Sequence, residues 1–250
     1  MAARGSKLGF ELLPPSRASR ERLLSKAEKL SHLVDFISLP DTPAGIERVC
    51  SLAAAALISE RLGVDVIIYI KTINCNRVAL KSLVLGAALV GASGVLLMRG
   101  DMPSEGEPVR DVNVDYVVKW IRSRTDLSGL RVGVTVPIPL KKAEKTLRRR
   151  LSLNPDFVYT QVVTSPREVD STVDSVRELS PTVDLVLPVV VPSPANEAAL
   201  SPLGLKPARD LYRVVERAFE RGVSVLLSSP ADFEAAVRAL KDLRAAFFGG

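Results

Sequence analysis

The amino-acid sequence predicts a single α/β domain, residues 1–250, built as a (β/α)8 TIM barrel. Apolar strand-like runs alternate with helical segments eight times, at a spacing of roughly thirty residues. No large shift in composition separates these units, and a chain of 250 residues is long enough for one barrel. The alternative is an open doubly wound sheet, which is disfavoured because no Gly-rich GxGxxG follows the first strand.

Each strand is predicted from a short apolar run bounded by turn or polar residues. The first run is closed by Pro14-Pro15, and the fourth run stops at Arg99-Gly100-Asp101. The eight predicted strands cover residues 9–13, 35–40, 64–72, 94–98, 130–137, 156–162, 183–191 and 223–227.

Helices are predicted where apolar residues recur at helical spacing, as at Leu23, Ala27 and Leu30 in the first one. Asp41-Thr42-Pro43 is interpreted as the opening of the second, long helix. The eight predicted helices cover residues 19–33, 44–62, 77–90, 114–123, 140–151, 166–179, 208–221 and 231–246.

The composition limits the chemistry of the site and the environment of the protein. With one histidine, a His-based triad or a zinc cluster is nearly excluded, and Cys50 and Cys75 lack CxxC spacing. No apolar run is long enough to span a bilayer and no signal peptide is predicted, so a cytoplasmic protein without a metal is expected. The rarity of glutamine and asparagine, with 17 prolines, resembles the composition of heat-adapted proteins.

The net charge of +6 favours anionic partners, either nucleic acid or small molecules that carry phosphates or carboxylates. The strongest basic cluster, residues 141–150, lies in the predicted helix at residues 140–151. It is interpreted either as a solvated face or as a phosphate-binding edge. Nucleic acid is disfavoured as a partner because no aromatic residues are interleaved with the charge.

Polar residues at the predicted strand ends should converge on one mouth, because all strands of such a barrel run the same way. Glu11 ends the first strand, Asp101 follows the fourth, and Gln161 lies at the end of the sixth. Two carboxylates in a mouth without histidine suggest acid–base chemistry, if burial raises the pKa of one of them. The alternatives are a solvated Glu11, an Asp101 that only caps the next segment, and a Gln161 that only satisfies backbone groups.

Five short segments, in the same order along the chain, resemble motifs of the methylenetetrahydrofolate reductase family. Residues 10–15 resemble its FEFFPP opening, 97–103 its LxRGDxP segment, and 156–161 its ADFxxTQ strand. Residues 41–43 resemble a DNP turn and 74–77 a DRNR segment, which point to the branch often found beside homocysteine or corrinoid methyl-transfer proteins. The resemblance spans roughly residues 9–192.

The resemblance implies a TIM barrel that holds FAD and passes a hydride from NAD(P)H to the methylene group of a folate or folate-like pterin. Glu11 is implied as the general acid, and Asp101 as a residue that faces both the flavin and the pterin. Gln161 is implied as a substrate ligand through the pterin. The residues implied to bind the cofactor are Tyr69, Asn76, Arg99, Gly100, Asp101, Arg149 and Arg150.

The sequence also departs from the family pattern. Tyr69 replaces a histidine at the end of the third strand, Ile138 follows Pro137 where the family has PExH, and Val162 replaces an aromatic residue. Several departures lie on the flavin side, so a second hypothesis keeps the pterin site without the flavin, as a binding or assembly subunit. A homo-oligomer or a complex with a methyl-transfer protein is expected in either case.

Overall fold

Eight parallel strands close into a barrel in the order in which they follow one another along the chain. A computed structural model describes residues 5–137 and 143–249 of the protein. The strands are β1 (Leu8–Glu11), β2 (Phe36–Leu39), β3 (Asp65–Lys71), β4 (Gly94–Met98), β5 (Arg131–Thr135), β6 (Phe157–Tyr159), β7 (Asp184–Val190) and β8 (Ser224–Ser228). The ring closes where β1 pairs with β8, with Leu8 opposite Val225 and Glu11 opposite Ser228. The predicted fold class is therefore confirmed.

Nine α-helices surround the barrel in the described part of the chain. They are α1 (Arg20–Ser31), α2 (Ser51–Leu62), α3 (Arg77–Leu89), α4 (Val114–Arg122), α5 (Glu144–Leu151), α6 (Pro166–Leu179), α7 (Pro194–Leu200), α8 (Leu211–Glu220) and α9 (Phe233–Phe248). Side-chain caps fix several of their first residues; Asn76, for example, accepts a hydrogen bond from the backbone N–H of Ala79 at 2.9 Å. In the described ranges, none of these helices is long and apolar enough to cross a membrane.

The second helix begins at Ser51, so the predicted start at residue 44 is wrong. Thr42, Ala44 and Gly45 all have positive φ angles, of 38°, 58° and 75°, which a right-handed helix does not permit. Gly45 is required there because a Cβ atom on it would lie 2.0 Å from the carbonyl oxygen of Met102. A contact with the segment that follows β4 therefore overrides the local preference for helix.

Two other boundaries also differ from the prediction. The connection between β7 and β8 holds the additional helix α7, which Ser193 caps by accepting from the N–H of Asn196, and α8 begins only at Leu211. Strand β6 ends at Tyr159, so Gln161 lies just beyond it. The first residues of the predicted helix 140–151, together with Ile138, lie outside the described residues.

The interior of the barrel is apolar in its lower part and polar in its upper part. Phe36, Ile67, Leu96, Phe157 and other buried side chains fill the lower part. Gly9 and Gly133 leave room for the rings of Phe36 and Phe157, since a Cβ atom at either glycine would come within 2.2 Å of them. A larger cluster, mainly of aliphatic side chains, joins the outer face of the strands to the helices. The apolar floor supports the polar groups that lie toward the carboxyl ends of the strands.

Candidate active site

Glu11, the last residue of β1, lies at the carboxyl-terminal end of the barrel and is partly buried. The hydroxyl group of Tyr69 donates a hydrogen bond to its Oε2 at 3.0 Å. The hydroxyl group of Ser228 donates to its Oε1 at 3.0 Å. Both carboxylate oxygens therefore have a partner, contributed by strands on different sides of β1.

A second hydrogen-bonded pair lies beside Glu11 in the same part of the barrel. The hydroxyl groups of Ser38 and Tyr159 are 2.9 Å apart, and the Tyr69 and Tyr159 rings meet edge to face with centroids 6.1 Å apart. We call the five residues Glu11, Ser38, Tyr69, Tyr159 and Ser228 the polar layer. Ser38 and Tyr159 were not among the predicted site residues, because inward-facing hydroxyl groups on apolar strands have no sequence signal of their own.

Burial changes the proton affinities in the polar layer. Desolvation raises the pKa of Glu11 above its ordinary value of 4.5, and the hydrogen bonds from Tyr69 and Ser228 lower the pKa only in part. The pKa of Tyr69 is raised well above 10, first by burial and then by the charge of Glu11, and burial also raises the pKa of Tyr159. A carboxyl group with a raised pKa beside two protonated tyrosines can store a proton and donate it.

Asp101 lies at the same end of the barrel as Glu11 and bonds to a buried lysine. Lys71, whose side chain is 3% exposed, donates to the carbonyl oxygen of Thr42 at 2.6 Å and lies 3.4 Å from Oδ2 of Asp101. The same oxygen accepts from the backbone N–H of Ala44 at 3.0 Å. The Asp101 side chain is 62% exposed, so its carboxylate is held in place while it remains open to a ligand.

The polar layer and the Asp101 group are separated by one step along β3. Tyr69 and Lys71 are alternate inward-facing residues of β3, so their Cα atoms are roughly 7 Å apart along the strand. Asp41 lies in the segment after β2, directly before Thr42. Burial raises the pKa of Asp41, and the charge of Lys71 opposes this shift. Glu11 and Asp101 therefore lie at the same end of the barrel, as predicted, with Glu11 deeper.

Arg99 and Gly100 directly follow β4; Arg99 is open to solvent, and Gly100 packs on Lys71. Arg99 is exposed, and its carbonyl oxygen accepts from the N–H of Ile73 at 3.1 Å. Gly100 has a φ of +87°, and a Cβ atom on it would lie 2.4 Å from the Lys71 side chain. Gly100 therefore allows the turn to lie directly on Lys71.

Two predicted site residues lie farther out. Gln161 is exposed just after β6, at the end of the barrel where the strands terminate. Asn76 caps α3 through its side-chain oxygen. The side-chain oxygen of Asn76, implied as a cofactor ligand, is therefore bonded to the backbone of α3.

Arg149 and Arg150 contact helix α4. Arg150 is 12% exposed at its side chain, and its Nη1 lies 2.8 Å from Asp115, while Arg149 is 59% exposed and lies 3.5 Å from the same carboxylate. Burial lowers the pKa of Arg150, and Asp115 opposes this shift. Asp115 thus already balances part of the positive charge predicted to bind a phosphate.

The segments after β2, β3 and β4 enclose a cavity of about 290 Å³ whose charge is negative. Glu47, Glu105 and Glu107 line it. Three carboxylates repel a diphosphate in this cavity, and Asp115 leaves Arg149 and Arg150 with only one net positive charge for a group that carries two negative charges. This set of described residues does not fit the diphosphate of FAD. Within the described ranges, no three His, Cys, Asp or Glu side chains are grouped as metal ligands.

Comparison with solved structures identifies the fold. The chain is similar to 2,3-dimethylmalate lyase, a member of the PEP mutase/isocitrate lyase superfamily, at 15% identity and a TM-score of 0.59, covering 96% of this chain and 80% of that one. It is also similar to a variant tryptophan synthase alpha subunit from Pyrococcus furiosus, at 12% identity and a TM-score of 0.63, covering 100% of both chains. The spore cortex-lytic enzyme SleL of Bacillus cereus matches at 12% identity and a TM-score of 0.59, covering 95% of this chain and 74% of that one. At these identities the likeness concerns the fold alone.

Sequence comparison identifies the family. No curated protein sequence matches the chain. The family model described as methylenetetrahydrofolate reductase matches residues 2–199, which include seven of the eight strands and both carboxylates of the candidate site. The chain belongs to the methylenetetrahydrofolate reductase family.

Proposed function

We propose that this protein is a methylenetetrahydrofolate reductase-like oxidoreductase that acts on the methylene group of a folate or folate-like pterin, with Glu11 as the proton donor. Family membership supports the reaction class. The observation that supports the role of Glu11 is its position at the inner end of the mouth. There burial raises the pKa of its carboxyl group, and both of its oxygens are hydrogen-bonded.

The proposed proton transfer opens the five-membered ring that carries the methylene group. The Glu11 carboxyl group gives its proton to the leaving nitrogen, the bond between that nitrogen and the methylene carbon breaks, and the other nitrogen forms an iminium with that carbon. A hydride added to this carbon then gives the methyl group. A raised pKa keeps the donor protonated nearer to neutral pH, where general acid catalysis typically contributes about a hundred- to ten-thousand-fold in rate.

Asp101 and Gln161 are proposed as ligands of the pterin. A carboxylate can accept two hydrogen bonds from an aminopyrimidine edge, and a primary amide offers a donor and an acceptor on one plane. Within the described residues, Lys71 and the N–H of Ala44 both bond to Oδ2 of Asp101, and no hydrogen bond is made to the other carboxylate oxygen. That second oxygen is therefore available to a ligand.

FAD is the hydride carrier that the family implies, and NAD(P)H is the implied donor. The described residues do not fit the FAD diphosphate, because Asp115 balances one of the two arginine charges and three glutamates line the cavity formed by the segments after β2, β3 and β4. This misfit favours the second candidate function, in which the chain is a pterin-binding subunit that works without its own flavin, in a homo-oligomer or beside a methyl-transfer protein.

The absorbance spectrum of the purified protein, combined with a titration with a reduced folate, distinguishes the two candidates. Flavin bands and reduction of methylenetetrahydrofolate support the oxidoreductase. A colourless protein that binds the reduced folate but reduces it with no donor supports the pterin-binding subunit. A protein that does neither contradicts both.

The role of Glu11 is tested with Glu11→Gln, which keeps the shape of the side chain and removes the acidic proton. We expect kcat to fall about a hundred- to ten-thousand-fold with little change in folate affinity. Glu60→Gln, at an exposed position on α2, is the matched control and should leave kcat unchanged. Equal losses of kcat and folate affinity in Glu11→Gln would mean that Glu11 only supports the structure of the mouth.

A further inference from the structure

A cavity of about 240 Å³ lies between the segment that follows β1 and the first turns of α1. Residues 12–16 form one wall, and Arg22, Leu23, Lys26, Arg48 and Pro230 complete the lining. We call it the cationic cavity, because the three charged residues in its lining are all basic. None of the predicted site residues lines it.

The three cations come from two separate parts of the chain. Arg22 and Lys26 are four residues apart on α1 and therefore lie on the same face of the helix. Arg48 comes from the irregular segment before α2, and its Nη1 donates to the carbonyl oxygen of Pro14 at 3.0 Å. Within residues 5–137 and 143–249, none of the three forms a salt bridge. The nearby acid Glu234 is bonded to Lys29 at 3.1 Å.

This arrangement is electrostatically unfavourable when the cavity holds only water. Like charges at this helical spacing repel each other. The pKa of Lys26 is lowered first by burial and then by the charges of Arg22 and Arg48, and the charge of Glu234 opposes this shift only in part. The Nε atom of Arg48 is buried and has no hydrogen-bond partner among the described residues. The ring of Phe233, 4.8 Å from Nζ of Lys26, offers only a weak compensating interaction.

We propose that the cationic cavity binds an anionic group, a phosphate or a carboxylate, of a small-molecule ligand. Such a group supplies the negative charge that the lining lacks, and guanidinium groups suit both anions. The cavity begins at Leu12, the residue after Glu11, and its wall includes Pro230, two residues after Ser228. The cavity thus adjoins the two strand ends that hold the Glu11 carboxyl group. The proposal does not rest on the proposed function, because it concerns binding alone.

The test measures the melting temperature and the dissociation constant of the protein with inorganic pyrophosphate and with triglutamate, each against sodium chloride at equal ionic strength. Binding to the folded state raises the melting temperature with ligand concentration. We expect at least one probe to stabilise the wild type. Arg22→Gln/Lys26→Gln should bind that probe at least about tenfold more weakly.

Arg22→Gln/Lys26→Gln is suited to this test because neither the Arg22 nor the Lys26 side chain donates a hydrogen bond within the described residues. Without ligand it should melt at the same or a higher temperature than the wild type, because the repulsion is removed. Lys119→Gln/Lys241→Gln removes the same charge from exposed positions on α4 and α9 and should bind like the wild type. If the double variant unfolds early, Arg22→Gln alone serves, since Arg22 is exposed and lacks the contact with Phe233.

Each outcome of the test bears on the proposal. Stabilisation by pyrophosphate that weakens in Arg22→Gln/Lys26→Gln assigns the cavity to a phosphate, and the same result with triglutamate assigns it to a carboxylate; stabilisation that the double variant leaves unchanged overturns the proposal. Stabilisation by neither probe overturns the proposal, as does an equal loss of affinity in both double variants. Failure of Glu11→Gln to affect catalysis would leave these measurements unchanged, so the two proposals can fail separately.

Discussion

At the scale of single residues, the pKa shifts in the polar layer support Glu11 as the proposed proton donor. Tyr69 and Tyr159 have raised pKa values, so they stay protonated across the physiological range. Ser38 and Ser228 do not titrate in that range. Glu11 is therefore the most acidic group of the polar layer, with a pKa that burial raises above its ordinary value and that its hydrogen-bond partners lower in part. The tyrosine that replaces the family's histidine acts here as a hydrogen-bond donor to Glu11.

Tyr69→Phe removes one donor to Glu11 and leaves the ring in place. Because that hydrogen bond stabilises the carboxylate, its loss should raise the pKa of Glu11 further. A carboxyl group whose pKa is raised on folding stabilises the protein fully below its unfolded pKa, and this contribution is lost as the pH rises through the folded pKa. In Tyr69→Phe the decline in the free energy of unfolding should therefore extend to higher pH than in the wild type.

Urea denaturation between pH 4 and pH 9 measures this change without requiring activity. Tyr159→Phe is the control, because it removes a hydroxyl group that bonds to Ser38 instead of Glu11. Each variant should lose about 1 kcal/mol for its missing hydrogen bond. Only in Tyr69→Phe should the decline in the free energy of unfolding extend to higher pH. Identical pH profiles in the two variants would contradict the role given to Tyr69.

At the scale of elements, the segments after β2 and β4 form one unit at the mouth. The N–H of Ala44 bonds to Asp101, and the carbonyl oxygen of Gly45 accepts from both the N–H and the hydroxyl group of Ser104 at 3.0 and 2.9 Å. Lys71 lies beneath both segments and bonds to Thr42 and Asp101. The position of Asp101 therefore depends on a turn more than fifty residues earlier in the chain.

Gly45→Ala should break this unit. The new Cβ atom would lie 2.0 Å from the carbonyl oxygen of Met102, and alanine is strained at a φ of 75°. We expect the free energy of unfolding to fall by roughly 2–5 kcal/mol, as the sum of backbone strain and overpacking, and folate affinity to fall because Asp101 moves. Gly106→Ala is the control: its φ is 79° but no atom lies within 4 Å, so a loss of about 1–2 kcal/mol is expected. Equal losses in the two variants would mean that the contact with Met102 does not matter.

The segments after β2 and β4 also show one limit of sequence-based prediction. All eight strands were predicted, because buried parallel strands are short apolar runs and each run here is flanked by turn residues. The helix start at residue 44 was wrong, because the contacts of Gly45 with Met102 and Ser104 join residues that local patterns cannot relate. For the site, the positions of Glu11 and Asp101 at the ends of predicted parallel strands indicated that the two residues share a mouth. The Ser38–Tyr159 bond could not be predicted, since it depends on which side chains face each other across the barrel.

At the scale of the whole molecule, the candidate site depends on closure of the barrel. The family match ends at residue 199, whereas β8 begins at Ser224. β8 pairs with β1 at four positions and with β7 at five, and Ser228 at its end donates to Glu11. One of the two hydroxyl groups that hold the proposed proton donor thus comes from outside the matched region.

If the chain is one domain, as the sequence predicts, residues 200–250 cannot be removed without unfolding the rest. Without β8, both β1 and β7 become open edges, and the apolar floor of the barrel loses Leu226. The full chain should unfold in one transition that is the same by far-UV circular dichroism and by the fluorescence of Trp120, its sole tryptophan, on α4. A chain that ends at residue 199 should show no cooperative transition, whereas one shortened only by Gly249 and Gly250 should unfold like the full chain. Cooperative unfolding of the chain that ends at residue 199 would divide the protein into two units and separate Glu11 from Ser228.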